Sequence, residues 1–228
     1  TIENLRKAAE LAPERLEIKT KLGGYYLLFD PPLISETEKL LDEIFAQDAD
    51  FIEGHILKAN LFAVQGKPEA EVLPVFNHAV SLDPSRAESY LNLSRYFMRL
   101  GKTGEAEKAI LAALEKGANK SSGHLEYGRF LTYTEKPSEA EAQFLKAIEV
   151  APENIEAREA IAGFYLGQKQ PEKAEQAYKD LVRIQENSPE SRIALADFYA
   201  GIGRADDAVR VFNEILNDSP ETARARYR

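Results

Sequence analysis

The segments GRFLTYTEKPSEAEAQFLKAIEVA (residues 128–151) and AGFYLGQKQPEKAEQAYKDLVRI (residues 162–184) decide the reading of this chain, because one is a loose copy of the other displaced by 34 residues. Each begins with a small residue, Gly128 or Ala162, followed one turn later by Leu131 or Tyr165. Then come a proline, Pro137 or Pro171, an alanine, Ala140 or Ala174, and an aromatic, Phe144 or Tyr178. A fixed period on the order of 20–50 residues marks an array of identical supersecondary units.

The phase extends outward in both directions. Pro84, Ala118, Pro152, Glu186 and Pro220 fall 34 residues apart, with Ala49 and Pro13 preceding at 35 and 36. Ten residues after the first six marks in chain order, through Glu186, come Gly23, Ala59, Ser94, Gly128, Ala162 and Ala196, all small. Three further on stand Tyr26, Phe62, Phe97, Leu131, Tyr165 and Tyr199. Ala106, Ala140, Ala174 and Ala208 recur in step, each followed at four residues by Ile110, Phe144, Tyr178 or Phe212. Small residues in the middle of a first helix let a second helix approach, and the aromatic one turn later fills the space beside it. Each large side chain buried this way contributes roughly 1.5–3 kcal/mol, but only when a neighbouring hairpin covers it, so the hairpins must stack.

The turn residues agree. Gly66, Gly101 and Gly203 are placed where a first helix ends in the left-handed conformation. Pro68, Pro137 and Pro171 share one phase and are expected to open the second helices, where a missing N–H is harmless. Two repeats are irregular. The first carries extra residues around Phe29-Asp30-Pro31-Pro32, with its second helix expected to restart at Ser35 through a capping box to Glu38. The second has Pro74 inside its expected second helix, which should be kinked or delayed there.

These residues resemble the tetratricopeptide repeat (TPR) family over essentially the whole chain. The family's tryptophan is missing, and His55, Tyr90, His124, Arg158 and Arg192 stand in its place. The resemblance implies an all-α, right-handed α-solenoid of about six helix-turn-helix repeats with partial repeats at both ends. The repeats are expected at about 16–51, 52–86, 87–120, 121–154, 155–188 and 189–222 of a single 1–228 domain. Residues 1–15 read as the second helix of a preceding repeat and 223–228 as the start of a further one. The chain therefore reads as a stretch of a longer array, with apolar end faces compatible with end-to-end self-association.

Composition narrows the function. The net charge is −9 and the pI about 5.1, so phosphate backbones are repelled and no nucleic-acid partner is expected. An RNA-reading pentatricopeptide array, with its 35-residue repeat, is disfavoured on the same ground. With no cysteine there are no disulfides, thiolate metal sites or cysteine nucleophiles. No apolar run approaches the roughly 18 residues of a membrane span, so direct insertion of this segment is not expected.

Candidate chemistry reduces to packing. Gly101-Lys102-Thr103 resembles the end of a phosphate-binding loop, but Tyr96 stands where that motif needs glycine. His55 and His124 share a phase two repeats apart, and neither they nor His78 has a partner at ligand spacing, so no metal is expected. No serine, histidine and acid set has a motif around it. The chain is therefore read as a non-enzyme without cofactors.

The resemblance places the first helices on a concave groove. The groove-facing positions it implies are Thr20, Gly24, Leu27 and Leu28 in repeat one, then Ile56, Asn60, Ala63 and Val64. Leu91, Arg95, Met98 and Arg99 follow in repeat three, and Leu125, Arg129, Thr132 and Tyr133 in repeat four. Repeats five and six offer Glu159, Gly163, Leu166 and Gly167, then Ile193, Asp197, Ala200 and Gly201. The middle of this groove gathers Arg95, Arg99 and Arg129 beside Asn60, Asn92, Met98 and Tyr133. Guanidinium forks bind carboxylates in pairs, so the expected ligand is a protein segment, a peptide or helix with acidic character. The chaperone-tail clamp of some TPR domains is disfavoured. Asn60 and Asn92 match its asparagines, but Ile56, Ser122 and Glu126 stand where it needs basic residues. The competing reading is a structural spacer or assembly segment of a larger envelope- or secretion-associated bacterial protein.

Overall fold

The computed structural model describes residues 2–117 and 120–218. Among the described residues there are thirteen α-helices and no strand. The chain divides into two compact units, 1–119 and 120–228. In the first, α1 (Ile2–Leu11) precedes three antiparallel pairs. These are α2 (Leu16–Tyr26) with α3 (Ile34–Gln47), α4 (Ile52–Val64) with α5 (Glu69–Leu82), and α6 (Ala87–Arg99) with α7 (Thr103–Lys116). The second holds α8 (Lys120–Tyr133) with α9 (Pro137–Val150), α10 (Ile155–Gly167) with α11 (Pro171–Ile184), and α12 (Pro189–Gly201) with α13 (Ala205–Asp218). The fold is an all-α helical-repeat solenoid. The further helix expected at 223–228 lies outside the described residues.

The hairpins are built as the periodicity implies. Ala59, Ala162 and Ala196 are wholly buried, as are Ala106, Ala140 and Ala174 on the facing helices. A Cβ on Gly128 would come within 2.7 Å of the Phe144 ring, so α8 and α9 touch backbone to aromatic there. First helices also pack on each other, α2 on α4, α4 on α6 and α8 on α10, and each second helix packs on the first helix that follows it within its unit. In the N-terminal unit, Phe76 of α5 joins Ile56 and Ala59 of α4 to Tyr96 of α6.

One turn ends five of the first helices, α4, α6, α8, α10 and α12. The backbone N–H of Lys67, Lys102, Lys136, Gln170 and Arg204 donates to the carbonyl of Phe62, Phe97, Leu131, Tyr165 and Tyr199, five residues back, at 2.8–3.0 Å. This bond closes a helix through a left-handed residue. Gly66, Gly101 and Gly203 supply it with φ of 70°, 70° and 80°. In the two remaining copies Glu135 and Lys169 adopt φ of 59° and 56°, a strained choice for residues with a Cβ.

Two local expectations are corrected. The capping box of Ser35 and Glu38 does not form: α3 begins at Ile34, one residue earlier, with Leu33 in the cap position. The hydroxyl of buried Thr37 donates instead to the Leu33 carbonyl at 2.8 Å. Pro74 does not delay α5, which starts at Glu69 and runs unbroken through it. The proline removes one N–H from the ladder, while Val72, Phe76 and Ala79 around it are wholly buried and hold the helix in place.

Candidate functional site

In the N-terminal unit the first helices bound a recess of about 280 Å³. Thr20, Lys21 and Gly24 come from α2, Glu53, Ile56, Leu57 and Asn60 from α4, Glu88 and Asn92 from α6, and Arg86 from the turn before it. Arg86 is ion-paired with Glu53 across that turn. Asn92, Arg95 and Arg99 follow each other at three and four residues and therefore share one face of α6. Arg99 donates to Asn60 Oδ1 at 3.3 Å, which ties the rim of the recess to its wall. Burial pulls the Arg99 pKa down, with Tyr96 opposing, but a guanidinium keeps its charge. Arg95 and Arg99 are exposed and Met98 is half-buried.

The groove phase is therefore not uniform. Ile56, Leu91, Leu125 and Ile193 are all buried, between 2% and 8% exposed, whereas Glu159 of the same phase is exposed. Ile56 both lines the recess and packs with Ala59, Val72 and Phe76 in one cluster.

Arg129 and Tyr133 belong to the C-terminal unit. Arg129 is held by Glu126 at 2.7 Å and by Glu156 of α10 at 3.0 Å. Burial works against its charge, but these two carboxylates outweigh it and raise its pKa. An acidic ligand would have to displace one of them. Tyr133 is 64% exposed.

Two arrangements escaped the sequence reading. The first is a repeated staple in the C-terminal unit. Tyr165 of α10 donates to Glu141 of α9, and Tyr199 of α12 donates to Glu175 of α11, each at 2.9 Å. Both pairs are 24 residues apart and the second copies the first at a shift of 34, a signal present in the sequence but invisible without knowing which helices touch. Lys173 and Tyr165 bonds hold the Glu141 pKa down against burial. Glu175 is lowered by Lys179, Tyr199 and Arg204. Burial, then the bond to Glu141, pushes the Tyr165 phenol up to about 12. The two signs give two windows. Lowered carboxylates stabilise the fold above the usual carboxylate range, and this is lost as pH falls through their folded values. The raised tyrosine stabilises below its ordinary value of 10.0, and this is lost as pH climbs toward about 12. Urea midpoints measured against pH should fall off at both ends. Glu141→Gln with Glu175→Gln should flatten the acid limb; an unchanged limb would show that the staples contribute nothing.

The second arrangement concerns the histidines. His55 and His78 are 23 residues apart in sequence, yet their rings meet edge to face with centroids 4.5 Å apart. Neither has a partner at ligand spacing along the chain, so this meeting is made by the fold alone. His124 stands elsewhere, with Nδ1 2.7 Å from Gln143 Oε1. Burial lowers the His55 pKa, opposed by the contact to the Ala49 carbonyl and assisted by His78 and Lys58.

Comparison with known proteins agrees with this architecture. Family models described as tetratricopeptide repeat match residues 87–115, 128–189 and 168–227. No curated protein matches the sequence significantly. Among solved structures, the type IV pilus biogenesis factor PilW is similar, with a TM-score of 0.59 at 17% identity, over 90% of this chain and 94% of that one. The pilF protein of Pseudomonas aeruginosa has a TM-score of 0.54 at 16% identity, over 92% and 94% of the two chains. A thermophilic TPR protein of Thermus thermophilus has a TM-score of 0.55 at 19% identity, over 72% of this chain and 89% of that one. At these identities the likeness is one of fold.

Proposed function

We propose, from the premise that this chain belongs to the tetratricopeptide repeat family of protein-interaction scaffolds, that the recess between α2, α4 and α6 holds a peptide segment with acidic side chains. The carrying observation is that Asn60 and Asn92 line this recess while Arg99 bonds Asn60 at its edge. Asn92 Nδ2 donates to the Glu88 carbonyl at 2.8 Å and Asn60 Oδ1 accepts from Arg99, so Asn92 Oδ1 as acceptor and the Asn60 amide N–H as donor are the groups that match a peptide backbone whatever its sequence. Arg95 and Arg99, exposed on the same face of α6, supply the charge that selects carboxylates. Arg129 belongs to the C-terminal unit, is engaged there by two glutamates, and is not part of this reading.

The test is a peptide library of varied charge, read by fluorescence anisotropy. Acidic peptides should be retained by the wild-type chain and weakened at least about tenfold by Arg95→Glu with Arg99→Glu, because hydrogen bonds to charged groups contribute about 1.5–3 kcal/mol each. Circular dichroism should show unchanged helicity in the variant. Equal retention by both proteins, or selection of basic peptides, would overturn the reading. Binding of no peptide by either would also refute it and favour a spacer or assembly segment.

A further inference from the structure

We propose that Asp50, His55 and His78 form a binding site for a divalent transition-metal ion of the zinc class. One ligand atom from each lies within 4.8 Å of the other two. The three come from separate parts of the second hairpin: Asp50 from the turn before α4, His55 from the first turns of α4, and His78 from the last turns of α5. The fold, not the sequence spacing, brings them together.

The donor set suits such an ion. Two imidazoles and one carboxylate are the nitrogen and oxygen ligands that zinc and its neighbours take, whereas magnesium and calcium prefer oxygen alone. Bonds of about 2.0–2.1 Å place donors about 3.3 Å apart in a tetrahedral set. Closing the site therefore needs shifts of at most about 1.5 Å, and the exposed Asp50 and His78 side chains have room to make them.

The better-buried ligand is already oriented. His55 Nε2 lies 3.0 Å from the Ala49 carbonyl oxygen, a bond it makes as an N–H donor. Its ring also packs on Phe45 with centroids 4.8 Å apart. With Nε2 donating to a backbone carbonyl, Nδ1 is the nitrogen left with a lone pair to bind an ion, the division of roles metal-bound histidines adopt. Asp50 is placed by its own N–H, which donates to Asp48 Oδ1 at 3.0 Å. Three protein ligands leave the fourth position for water or for a donor from another molecule. A bound ion would tie α4 to α5 and to the turn entering them.

The experiment uses the untagged chain, with zinc titrated by calorimetry and cobalt(II) as the visible-absorption probe. The wild-type protein should bind one equivalent of either ion and melt at a higher temperature in its presence. His78→Gln and Asp50→Asn replace exposed ligands. Each should weaken binding at least about tenfold and abolish the thermal shift. Circular dichroism without metal should match the wild type in both. No stoichiometric binding, or binding of equal affinity in wild type and both variants, would overturn the site.

Discussion

Phe76→Ala should destabilise the N-terminal unit by about 3–5 kcal/mol, as truncation of a buried aromatic does. Phe76 has no exposed surface. It sits on α5 between the first helix of its own hairpin and that of the next, among Ile56, Ala59, Val72, Ala79 and Tyr96. Its ring stacks at a tilt on Tyr96, with centroids 5.4 Å apart. The mutation opens a cavity that helix backbones cannot collapse into, because Ala59 and Ala79 have already brought them into contact. The loss also falls on the coupling between hairpins, on which a repeat array depends. Urea unfolding followed by circular dichroism should show a lower midpoint, with hydrogen exchange accelerated in α4 to α6. A change below about 1 kcal/mol would mean that the hairpins stack through other contacts.

Gly117→Ala is the second large effect, and its sign is the informative part. Gly117 has φ −69° and ψ 142°, a conformation open to any residue. On backbone grounds alone, alanine there should stabilise by about 0.4–1 kcal/mol. The structure predicts the opposite. A Cβ would overlap the Ala113 carbonyl oxygen and come within 2.6 Å of Ala87 Cβ and 2.9 Å of Ala87 Cα. These are backbone and near-backbone atoms at the start of α6, without rotamers to swing aside. Overpacking of this kind destabilises by about 1–3 kcal/mol. Gly163→Ala is the control. Gly163 lies inside α10 with nothing within 4 Å of its added Cβ, so it should stabilise by about 0.8–1 kcal/mol. If thermal melting moves up for both substitutions, the close approach of α7's end to α6 is not present in solution.

Much of the architecture was legible because packing repeats. A small residue every 34 positions faces a buried alanine, so Ala59, Ala106, Ala140, Ala162 and Ala174 are wholly buried as the phase implied. The left-handed glycines were legible too, since a turn that needs positive φ selects glycine at Gly66, Gly101 and Gly203. Local chemistry was less reliable. Ser35 and Glu38 had the spacing of a cap, but burial of Thr37 and its bond to Leu33 decided where α3 begins. Pro74 had the chemistry of a break, but the buried face of α5 overrode it.

The sequence by itself determined the helical period, the pairing of helices into hairpins and which face of each must be small. These follow from contacts that recur at fixed separation along the chain. Only the tertiary structure decided which polar groups meet. His55 with His78, Arg129 with Glu126 and Glu156, Arg99 with Asn60, and the tyrosine staples of α9 to α12 join side chains on different turns or helices. The physical reason is one of precision. A period tolerates any residue of the right size, whereas a hydrogen bond or a shared ion needs two particular atoms within about 3 Å, and that distance is set by how the helices lie against each other.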